Sequence, residues 1–354
     1  MVPVAEVGVS IKADAYGLGA ASIAPALAAQ GCQTFFVATA AEGAKLRSAI
    51  PDAGIVVLNG PDAVSVPLFI EHGLTPALNS LPQLDVWRTA VAGNAHNNGA
   101  YLHIDTGMSR LGLSEAEVSE LCSDTARADG VDISVVMSHL ACADEPDSAM
   151  NALQRKRLLT TATTLPSITG PIRASLANSA GAFLGADYHL DMVRAGASIY
   201  GLNVLDQKIN TMEQVVYLFA KILQVREIKK AASVGYGATH KVSQPSRITT
   251  VAIGYADGYP RAAGRLTTKD ERKLATTFIG DAVAPVVGRV SMDLLTVDVS
   301  GVPETEARPG AFVELIGDRF NADNLADVAG TIGYEVLTRL GQRHHRIYRG
   351  GETD

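Results

Sequence analysis

The amino-acid sequence predicts an α/β fold, a (β/α)8 TIM-type barrel, followed by a mostly β C-terminal domain. The chain has 354 residues, which exceeds the roughly 250–300 residues at which a single hydrophobic core stops growing, so two domains are expected. In the first part, short apolar runs alternate with alanine- and leucine-rich stretches, which is typical of a parallel sheet covered by helices. After about Asn210 the helical stretches nearly vanish.

Eight apolar or β-branched runs are the predicted strands of the first domain, because each has the length of a buried strand. They are Val7–Lys12, Cys32–Thr39, Gly54–Asn59, Leu74–Asn79, Tyr101–Thr106, Ile133–Leu140, Ile172–Ser179 and Met192–Tyr200. The stretches between them with the composition and spacing of helices include Ala20–Gln30, Ala40–Ile50, Pro61–His72, Leu81–Ala92 and Ser114–Arg127. Eight such units within about 200 residues fit a (β/α)8 barrel.

The remainder of the chain predicts a β-rich domain. Strand-like runs at 214–230, 246–255, 284–299 and 310–317 are separated by Gly, Pro and Asp turns. A single helical stretch, Asn324–Leu340, follows them. We therefore predict a barrel domain over residues 1–210 and a β-rich domain over residues 211–354.

Composition excludes several classes of function. The formal net charge of −7 gives no basic surface for nucleic acid or an anionic membrane. The three cysteines are widely spaced and form no CxxC pair, which predicts reduced thiols and a cytoplasmic protein. No HxxxH pair is present, so no metal site is expected. No apolar run approaches the roughly 18–20 residues of a membrane span.

Candidate functional residues gather where the predicted barrel strands end, because the active sites of such barrels lie at the C-terminal ends of the strands. These residues are Lys12, Arg110, His139, Asn178, Ser179 and Arg194. Residues 177–182 and 194–198, at strands seven and eight, offer backbone N–H groups and hydroxyls to a phosphate. A lysine facing a phosphate site fits an aldehyde cofactor held as a Schiff base, which is pyridoxal 5'-phosphate.

Each of these residues also has an ordinary structural interpretation. Lys12 could be a solvated strand end, and His139 a packed, hydrogen-bonded core histidine. Arg194 could be an ion-pair partner, and Asn178–Ser179 a turn or helix cap. Met292 could simply fill the core. The combination of these residues at one barrel mouth favours the cofactor site over these separate interpretations.

A nucleotide-binding loop is the competing hypothesis for the same segment. Gly17, Gly19 and Ser22 partly match a dinucleotide fingerprint, and Glu42 lies at a tolerable distance downstream. The third glycine is missing, however. Residues 12–16 also lie between the strand end and the turn, where a tight strand-to-helix turn leaves no room for them.

Nine motifs in order across both predicted domains resemble the alanine racemase family. They are IKADAYGLGA (11–20), IDTGMSRLG (104–112), SHLACAD (138–144), LANSAG (176–181), DMVRAGASIYG (191–201), VGYGAT (234–239), IGYADGYPR (253–261), VGRVSMD (287–293) and TIGYE (331–335). The resemblance implies racemisation of alanine with pyridoxal 5'-phosphate, supplying D-alanine for peptidoglycan. It also implies a homodimer, in which the β domain of one subunit contributes to the active site of the other.

The resemblance further implies a role for each matching residue. Lys12 would form the aldimine with the cofactor and act as one base, with Tyr236 of the other subunit as the base on the opposite face. The residues expected to hold the cofactor are Tyr16, His139, Asn178, Ser179, Arg194, Gly196, Ala197 and Tyr334. Those expected near the amino-acid substrate are Arg110, Met292, Asp293 and Tyr255. His139 would bond to both Tyr236 and Arg194.

The sequence departs from the family pattern at two places. Many members carry, seven residues before the arginine that corresponds to Arg110, a lysine that becomes carbamylated and steadies that arginine. Here His103 occupies the position, so we expect an anion or a neighbouring side chain to replace the carbamate. Members also have a longer segment before the cofactor lysine than the eleven residues that precede Lys12. The resemblance therefore predicts that the start of this chain is shortened.

Other functions remain open from the sequence alone. A related racemase with a wider pocket could accept serine or another amino acid. A non-catalytic carrier of the cofactor could use the same barrel, although the resemblance implies that such carriers lack the β domain. A decarboxylase with a similar barrel-plus-β plan is a further alternative, but its motifs differ from those above.

Overall fold

A computed structural model describes residues 5–92, 99–165, 172–205, 210–264 and 274–350. The chain forms two compact units. The first extends to Ile199 and also includes residues 204–210, and the second consists of Tyr200–Asn203 and Thr211–Arg349. Each unit contains a closed barrel of its own.

The first unit is built on eight parallel strands that close into a barrel in chain order, which confirms the predicted TIM-type fold. The strands are β1 (Glu6–Ser10), β2 (Thr34–Val37), β3 (Gly54–Val57), β4 (Thr75–Leu78), β5 (Ala100–His103), β6 (Ile133–Met137), β7 (Arg173–Ser175) and β8 (Met192–Ala195). Strand β1 pairs with both β2 and β8, and in the second pairing Gly8 lies opposite Arg194.

Helices follow most of these strands. They are Ala20–Ala29, Ala40–Arg47, Val66–Glu71, Leu81–Val91, Glu115–Ser123, Ala149–Thr164 and Ala186–His189. Capping boxes begin two of them: Thr39 caps the second helix with Glu42 as its third residue, and Ser114 caps the fifth with Glu117 as its third residue. Within the described part of the chain, no helix is long and apolar enough to cross a membrane.

Several predicted strands were too long at their C-terminal ends. Lys12 lies two residues beyond β1, His139 two residues beyond β6, and Asn178–Ser179 beyond the end of β7. Arg110 lies seven residues after β5, whereas Arg194 lies inside β8 as predicted. The apolar runs extend beyond the ends of the strands because the residues that follow remain buried: Leu140 is 2% exposed and Leu176 is 0% exposed. Burial therefore continues where strand pairing has stopped.

A buried cluster in the first barrel unites side chains from β2, β3, β4, β5, β6 and β8. Phe36, Val56, Ala77, Tyr101, Val135, Met137 and Met192 form one buried cluster. The rings of Phe36 and Tyr101 meet edge to face, with centroids 6.0 Å apart. A Cβ atom on Gly8 would lie 2.6 Å from the Phe36 ring, so the glycine makes room for that ring.

The second unit is mostly β structure, as predicted, and its strands pair antiparallel. Its strands are β9 (Leu218–Ile228), β10 (Ala232–Val234), β11 (His240–Val242), β12 (Ser246–Val251), β13 (Thr276–Ile279), β14 (Ala282–Val287), β15 (Leu295–Asp298) and β16 (Phe312–Ile316). Six of them close into a barrel in the order β12-β15-β14-β13-β16-β9, and β10 pairs with β11 separately.

Two predictions for this unit were wrong in detail. The run at 284–299 is two strands, β14 and β15, which pair with each other across the intervening turn. The predicted helix Asn324–Leu340 is two helices, Ala322–Ala329 and Gly333–Thr338. Gly330 divides them, because its left-handed conformation (φ +71°) ends the first helix at a position where glycine adds no steric strain.

Candidate active site

The segment Lys12–Tyr16, directly after β1, has an unusual backbone. Ala13, Asp14 and Ala15 have φ values of 53–56° and ψ values of 44–52°, and Tyr16 has a φ of 55°. These are left-handed conformations, which cost non-glycine residues about 1–2 kcal/mol each. Four in succession must be held by other contacts, and such backbone strain is concentrated at functional sites.

Hydrogen bonds to neighbouring residues hold this left-handed segment in place. Glu42 accepts from the backbone N–H of Ala13 at 2.9 Å, and also from those of Ala38 and Thr39 at 2.7 and 3.3 Å. Inside the segment, the side chain of Asp14 accepts from the N–H of Ala20 at 2.8 Å. Glu42 thus joins the start of the segment to the loop after β2.

Lys12 is half-buried, and its environment favours the neutral amine. Burial lowers the pKa of the Lys12 ammonium, and the positive charge of Arg110 lowers it further, while the carboxylate of Glu42 acts in the opposite direction. A lysine with a lowered pKa is a better nucleophile near neutral pH. The loop after β1 therefore carries an amine suited to attack on a carbonyl carbon.

A small polar cradle lies beside this segment. The N–H groups of Gly196 and Ser198 donate to the Ser179 hydroxyl at 2.7 and 3.3 Å. A Cβ on Gly196 would lie only 2.6 Å from the Tyr16 Oη atom and 3.3 Å from the Cβ of Ser10. Tyr16 is buried, and burial raises the pKa of its phenol, so it remains a hydrogen-bond donor. The segments after β1, β7 and β8 therefore meet at this cradle.

Arg194, in β8, is buried and held in one orientation by oxygen atoms. Its Nη1 donates to Ser175 Oγ at 2.6 Å, and its Nη2 donates to the carbonyl oxygen of Ser138 at 2.5 Å and to that of Leu176 at 3.4 Å. Nη2 also lies 3.4 Å from Nδ1 of His139. Burial lowers the pKa of Arg194 to about 10, which leaves the guanidinium charged at neutral pH.

Two histidines near Arg194 are neutral. Burial and the nearby positive charges of Arg194 and Arg110 lower the pKa of His139 well below its ordinary value. The same causes lower the pKa of His103 to about 4. Nδ1 of His103 lies 2.7 Å from the side-chain oxygen of Asn79, and the Asn79 amide nitrogen donates to the carbonyl oxygens of Leu58 and Ala77. That orientation of Asn79 makes Nδ1 the protonated nitrogen of His103.

The remaining predicted residues of the first unit lie in loops. Arg110 is exposed and follows a turn in which Asp105 accepts from three backbone N–H groups, at 2.9–3.1 Å. The Asn178 side-chain oxygen accepts from the N–H of Gly181 at 2.8 Å, so it stabilises a turn. Ala197 is buried after β8. The N–H of Gly196 already has Ser179 as its acceptor.

The other predicted site residues belong to the second unit. Tyr236 lies in a short turn between β10 and β11 with 72% of its surface exposed. Tyr334 lies in the helix Gly333–Thr338. The two loops that carry Tyr255 and Met292 contact each other directly, since the N–H of Tyr255 donates to Ser291 and that of Ala256 to Met292, at 3.0 and 2.9 Å.

Asp293 belongs to the same pair of loops. Arg343 contacts the carboxylates of Asp293 and Asp257 at 2.8 and 3.2 Å. Asp257 in turn accepts from the N–H of Gly254 at 2.8 Å. The structure therefore brings Tyr255, Met292 and Asp293 together within the second unit.

Sequence reasoning missed several residues that support the site. Gln154 is fully buried and donates to the Thr106 hydroxyl at 3.1 Å and to the His139 carbonyl oxygen at 2.9 Å. It also accepts from the N–H of Ala141 at 2.8 Å. Neither Gln154 nor Asn79 belongs to a local motif. Glu42 could have been found from the capping-box spacing of Thr39 and Glu42.

A parallel barrel with an amine and a cluster of N–H and hydroxyl groups at the C-terminal ends of its strands, in a chain that continues into a β barrel, is the plan expected of a barrel-type pyridoxal-phosphate enzyme, and the family comparisons decide between a racemase and a decarboxylase. Residues 1–204 match the family model of the alanine racemase N-terminal domain, and residues 215–348 match that of the C-terminal domain. The chain belongs to the alanine racemase family.

Individual relatives agree with this assignment. Alanine racemase from Rhodospirillum rubrum is 47% identical over 341 residues, which are 96% of this chain and 88% of the relative. A catabolic alanine racemase from Mesorhizobium japonicum is 44% identical over 344 residues, or 96% of this chain and 86% of the relative. The crystal structure of alanine racemase from Bartonella henselae with covalently bound pyridoxal phosphate superposes with a TM-score of 0.89 at 34% identity, covering 98% of this chain and 94% of that one.

Proposed function

We propose that this protein is a pyridoxal 5'-phosphate enzyme that interconverts L-alanine and D-alanine, with Lys12 and Tyr236 as its two bases. The observation that carries the proposal is the half-buried Lys12 amine, whose pKa is lowered by burial and by Arg110. This amine lies in the left-handed segment that leads to the cradle formed by Tyr16, Ser179 and Gly196. We expect the enzyme to act in the cytoplasm and to supply D-alanine for peptidoglycan.

The residues of the first barrel fit the cofactor. The Lys12 amine is placed to meet its aldehyde, the hydroxyls of Tyr16 and Ser179 lie at the cradle where we place its phosphate, and the absence of a side chain at Gly196 lets Tyr16 approach the backbone there. Gly196 and Ala197 are the proposed backbone contacts, with Asn178 and Tyr334 completing the phosphate side. When bound, pyridoxal 5'-phosphate provides the electron-withdrawing ring that acidifies the Cα–H bond of an amino acid attached to it.

The side chains of this protein then have different roles in proton transfer and in holding the cofactor. Lys12 accepts or returns a proton at Nζ on one face of the substrate, and the Tyr236 hydroxyl of the partner subunit does so on the other. Arg194 keeps its protons, because its guanidinium is charged and its hydrogen bonds to Ser175 and Ser138 leave it little freedom to turn. It is the proposed partner of the cofactor's ring nitrogen, and His139 is the proposed link to Tyr236.

Positioning of the substrate carboxylate is assigned to Arg110 and to the loops around Met292, Asp293 and Tyr255. In the family's arrangement those loops come from the partner subunit of a homodimer. The exposed Tyr236 supports this assignment, because a base for another subunit's site must be accessible from outside its own subunit. The match of both domains to the family models disfavours a non-catalytic carrier.

The decisive experiment measures racemisation of L-alanine and L-serine by the purified protein and by three variants. Lys12→Ala should lose activity in both directions, and Tyr236→Phe should lose exchange of the Cα proton with D2O for one enantiomer only. Tyr217→Phe, a matched control whose hydroxyl bonds to Asp318 at 2.6 Å on the surface of the same unit, should behave as wild type. Full activity in Lys12→Ala would refute the mechanism, and comparable kcat/KM for serine would establish the broader-specificity alternative.

A further inference from the structure

Glu42 has two roles in the structure, and the second is not explained by the first. As the third residue of the helix Ala40–Arg47 it completes a capping box with Thr39. That cap requires only Thr39 and the helix itself. Glu42 also reaches the Ala13 N–H at 2.9 Å, across a chain separation of 29 residues.

A second capping box in the same barrel provides a comparison. Glu117 accepts from the N–H and the hydroxyl of Ser114 at 2.9 and 2.8 Å, and Ser114 accepts from the Glu117 N–H at 3.3 Å. Among the described residues, Glu117 makes no bond to the segment that carries Lys12. Glu117 also has a partner outside its cap, the backbone N–H of Leu81. The corresponding bond of Glu42 differs because it ends on Ala13, the residue next to Lys12.

The position of Ala13 gives that bond its consequence. Ala13 directly follows Lys12 and is the first residue of the segment with left-handed φ and ψ. Backbone bonds from Ala15 to Ile11 and from Gly17 to Ala13 support the left-handed turn from within. The bond to Glu42 ties the Lys12–Ala13 peptide to the loop after β2, and because left-handed backbone is unfavourable for alanine, we expect this peptide to relax when that bond is lost. A relaxed peptide would rotate the Cα–Cβ bond of Lys12 away from its present direction.

We propose that Glu42 is a positioning residue for Lys12, which it aims by anchoring the N–H of Ala13 to the loop after β2. The inference rests on the proposed role of Lys12 as the cofactor-binding amine. Glu42 also acts on that amine through its charge, opposing the effects of burial and of Arg110 on the Lys12 pKa. His139, whose pKa the charge of Lys12 helps to lower, is neutral.

The test uses full-length protein stripped of cofactor and then exposed to pyridoxal 5'-phosphate. Borohydride traps the cofactor on lysine, and mass spectrometry of peptides gives the rate of trapping at Lys12 as a function of pH. In Glu42→Gln one amide oxygen replaces two carboxylate oxygens and cannot accept from both Ala13 and the pair Ala38 and Thr39. Because the bond to Ala13 is then lost or weakened and the amine is misdirected, we expect the plateau rate to fall by about tenfold or more. We also expect the midpoint of the pH dependence to move to lower pH, because a charge that raises the Lys12 pKa is lost.

Two matched variants separate positioning from helix capping. Thr39→Ala breaks the capping box of the same helix but leaves the bond from Glu42 to Ala13, and Glu117→Gln weakens the equivalent cap elsewhere. Both should lower the thermal midpoint while leaving the trapping rate and its pH midpoint at wild-type values. If Glu42→Gln gives no folded protein, Glu42→Asp keeps the charge on a shorter side chain. It should lower the plateau without moving the pH midpoint.

The outcomes distinguish this inference from the proposed function. Wild-type protein that traps no cofactor at Lys12 would overturn the proposed function. Trapping at Lys12 in wild type, with Glu42→Gln indistinguishable from Thr39→Ala in rate and midpoint, would overturn the role of Glu42 alone.

Discussion

The cradle at Gly196 gives the sharpest quantitative prediction. In Gly196→Ala, the new Cβ would lie 2.6 Å from Tyr16 Oη and 3.3 Å from the Cβ of Ser10. Gly196 is not among the glycines with positive φ, so the alanine backbone itself is unstrained. The whole effect of the substitution is therefore steric.

The structure sets the size of this effect. An ordinary contact begins near 3.4 Å, so the Tyr16 hydroxyl must move by about 0.8 Å. Tyr16 is only 7% exposed, which prevents its ring from swinging into solvent. Overpacking of this kind costs about 1–3 kcal/mol. We expect Gly196→Ala to lower the free energy of unfolding of the cofactor-free protein by that amount.

A double-mutant cycle identifies the clashing atom. Tyr16→Phe removes the hydroxyl and, with it, a hydrogen bond to Ser10, at a cost of about 0.5–1.5 kcal/mol. In the Tyr16→Phe background the alanine at position 196 meets no hydroxyl, so most of its cost should disappear. The coupling energy should be about 1 kcal/mol or more, in the range found for residues in contact.

The assay is urea unfolding, without cofactor, of the wild type, the two single variants and the double variant. Each effect is read as a change in the unfolding midpoint at an unchanged m-value. Gly301→Ala is the control, because Gly301 lacks a positive φ and a Cβ there would have no atom within 4 Å. It should change stability by less than about 0.5 kcal/mol. Additive effects of Gly196→Ala and Tyr16→Phe would refute the geometry of the cradle.

Two further predictions concern the buried polar groups around the site. Gln154→Leu should destabilise the protein by about 1–3 kcal/mol, because it removes the three hydrogen bonds that a fully buried amide makes to Ala141, Thr106 and His139. Asn151 lies one helical turn earlier and is equally buried, but its side-chain oxygen already lacks a partner, so Asn151→Leu loses only the bond to Glu145. Its thermal midpoint should therefore fall less than that of Gln154→Leu, and equal losses would contradict this. His103→Gln should flatten the dependence of stability on pH. The fold keeps His103 neutral with a pKa of about 4, so its contribution is complete above the ordinary value near 6.5 and is lost as the pH falls toward 4. The wild-type slope should exceed that of the variant by up to about 1.4 kcal/mol per pH unit between 6.5 and 4.5, and parallel curves would contradict the assignment.

The sequence was most informative where a local pattern has one physical meaning. Eight apolar runs predicted the number and order of the barrel strands, because each strand must bury its side chains. The ends of those strands could not be predicted from hydrophobicity, since Ile11 is only 1% exposed although it lies outside β1. Lys12 could be recognised as a candidate from its place at a strand end.

The conformation around Lys12 could not be predicted in the same way. Ala13 and Ala15 are among the residues that most favour right-handed helices, yet both are left-handed in the structure. One contact that holds this conformation comes from a residue distant in the chain, since Glu42 accepts from the Ala13 N–H. The role of Asn79 could not be predicted either, because its hydrogen bond with His103 forms only when β4 and β5 are neighbours.

The charges at the mouth of the first barrel link these observations to ligand choice. Lys12 and Arg194 both have lowered pKa values, in each case with burial as the largest cause, and Arg110 adds to the effect at Lys12. The carboxylates of Glu42 and Asp105 each accept from three backbone N–H groups, so their hydrogen-bonding capacity serves the fold. A ligand that brings a phosphate and a carboxylate supplies negative charge where the fold has concentrated positive charge. If the proposed function holds, we expect the interactions that make Lys12 a nucleophile also to favour an anionic aldehyde over a neutral one, and an amino acid over an amine without a carboxylate.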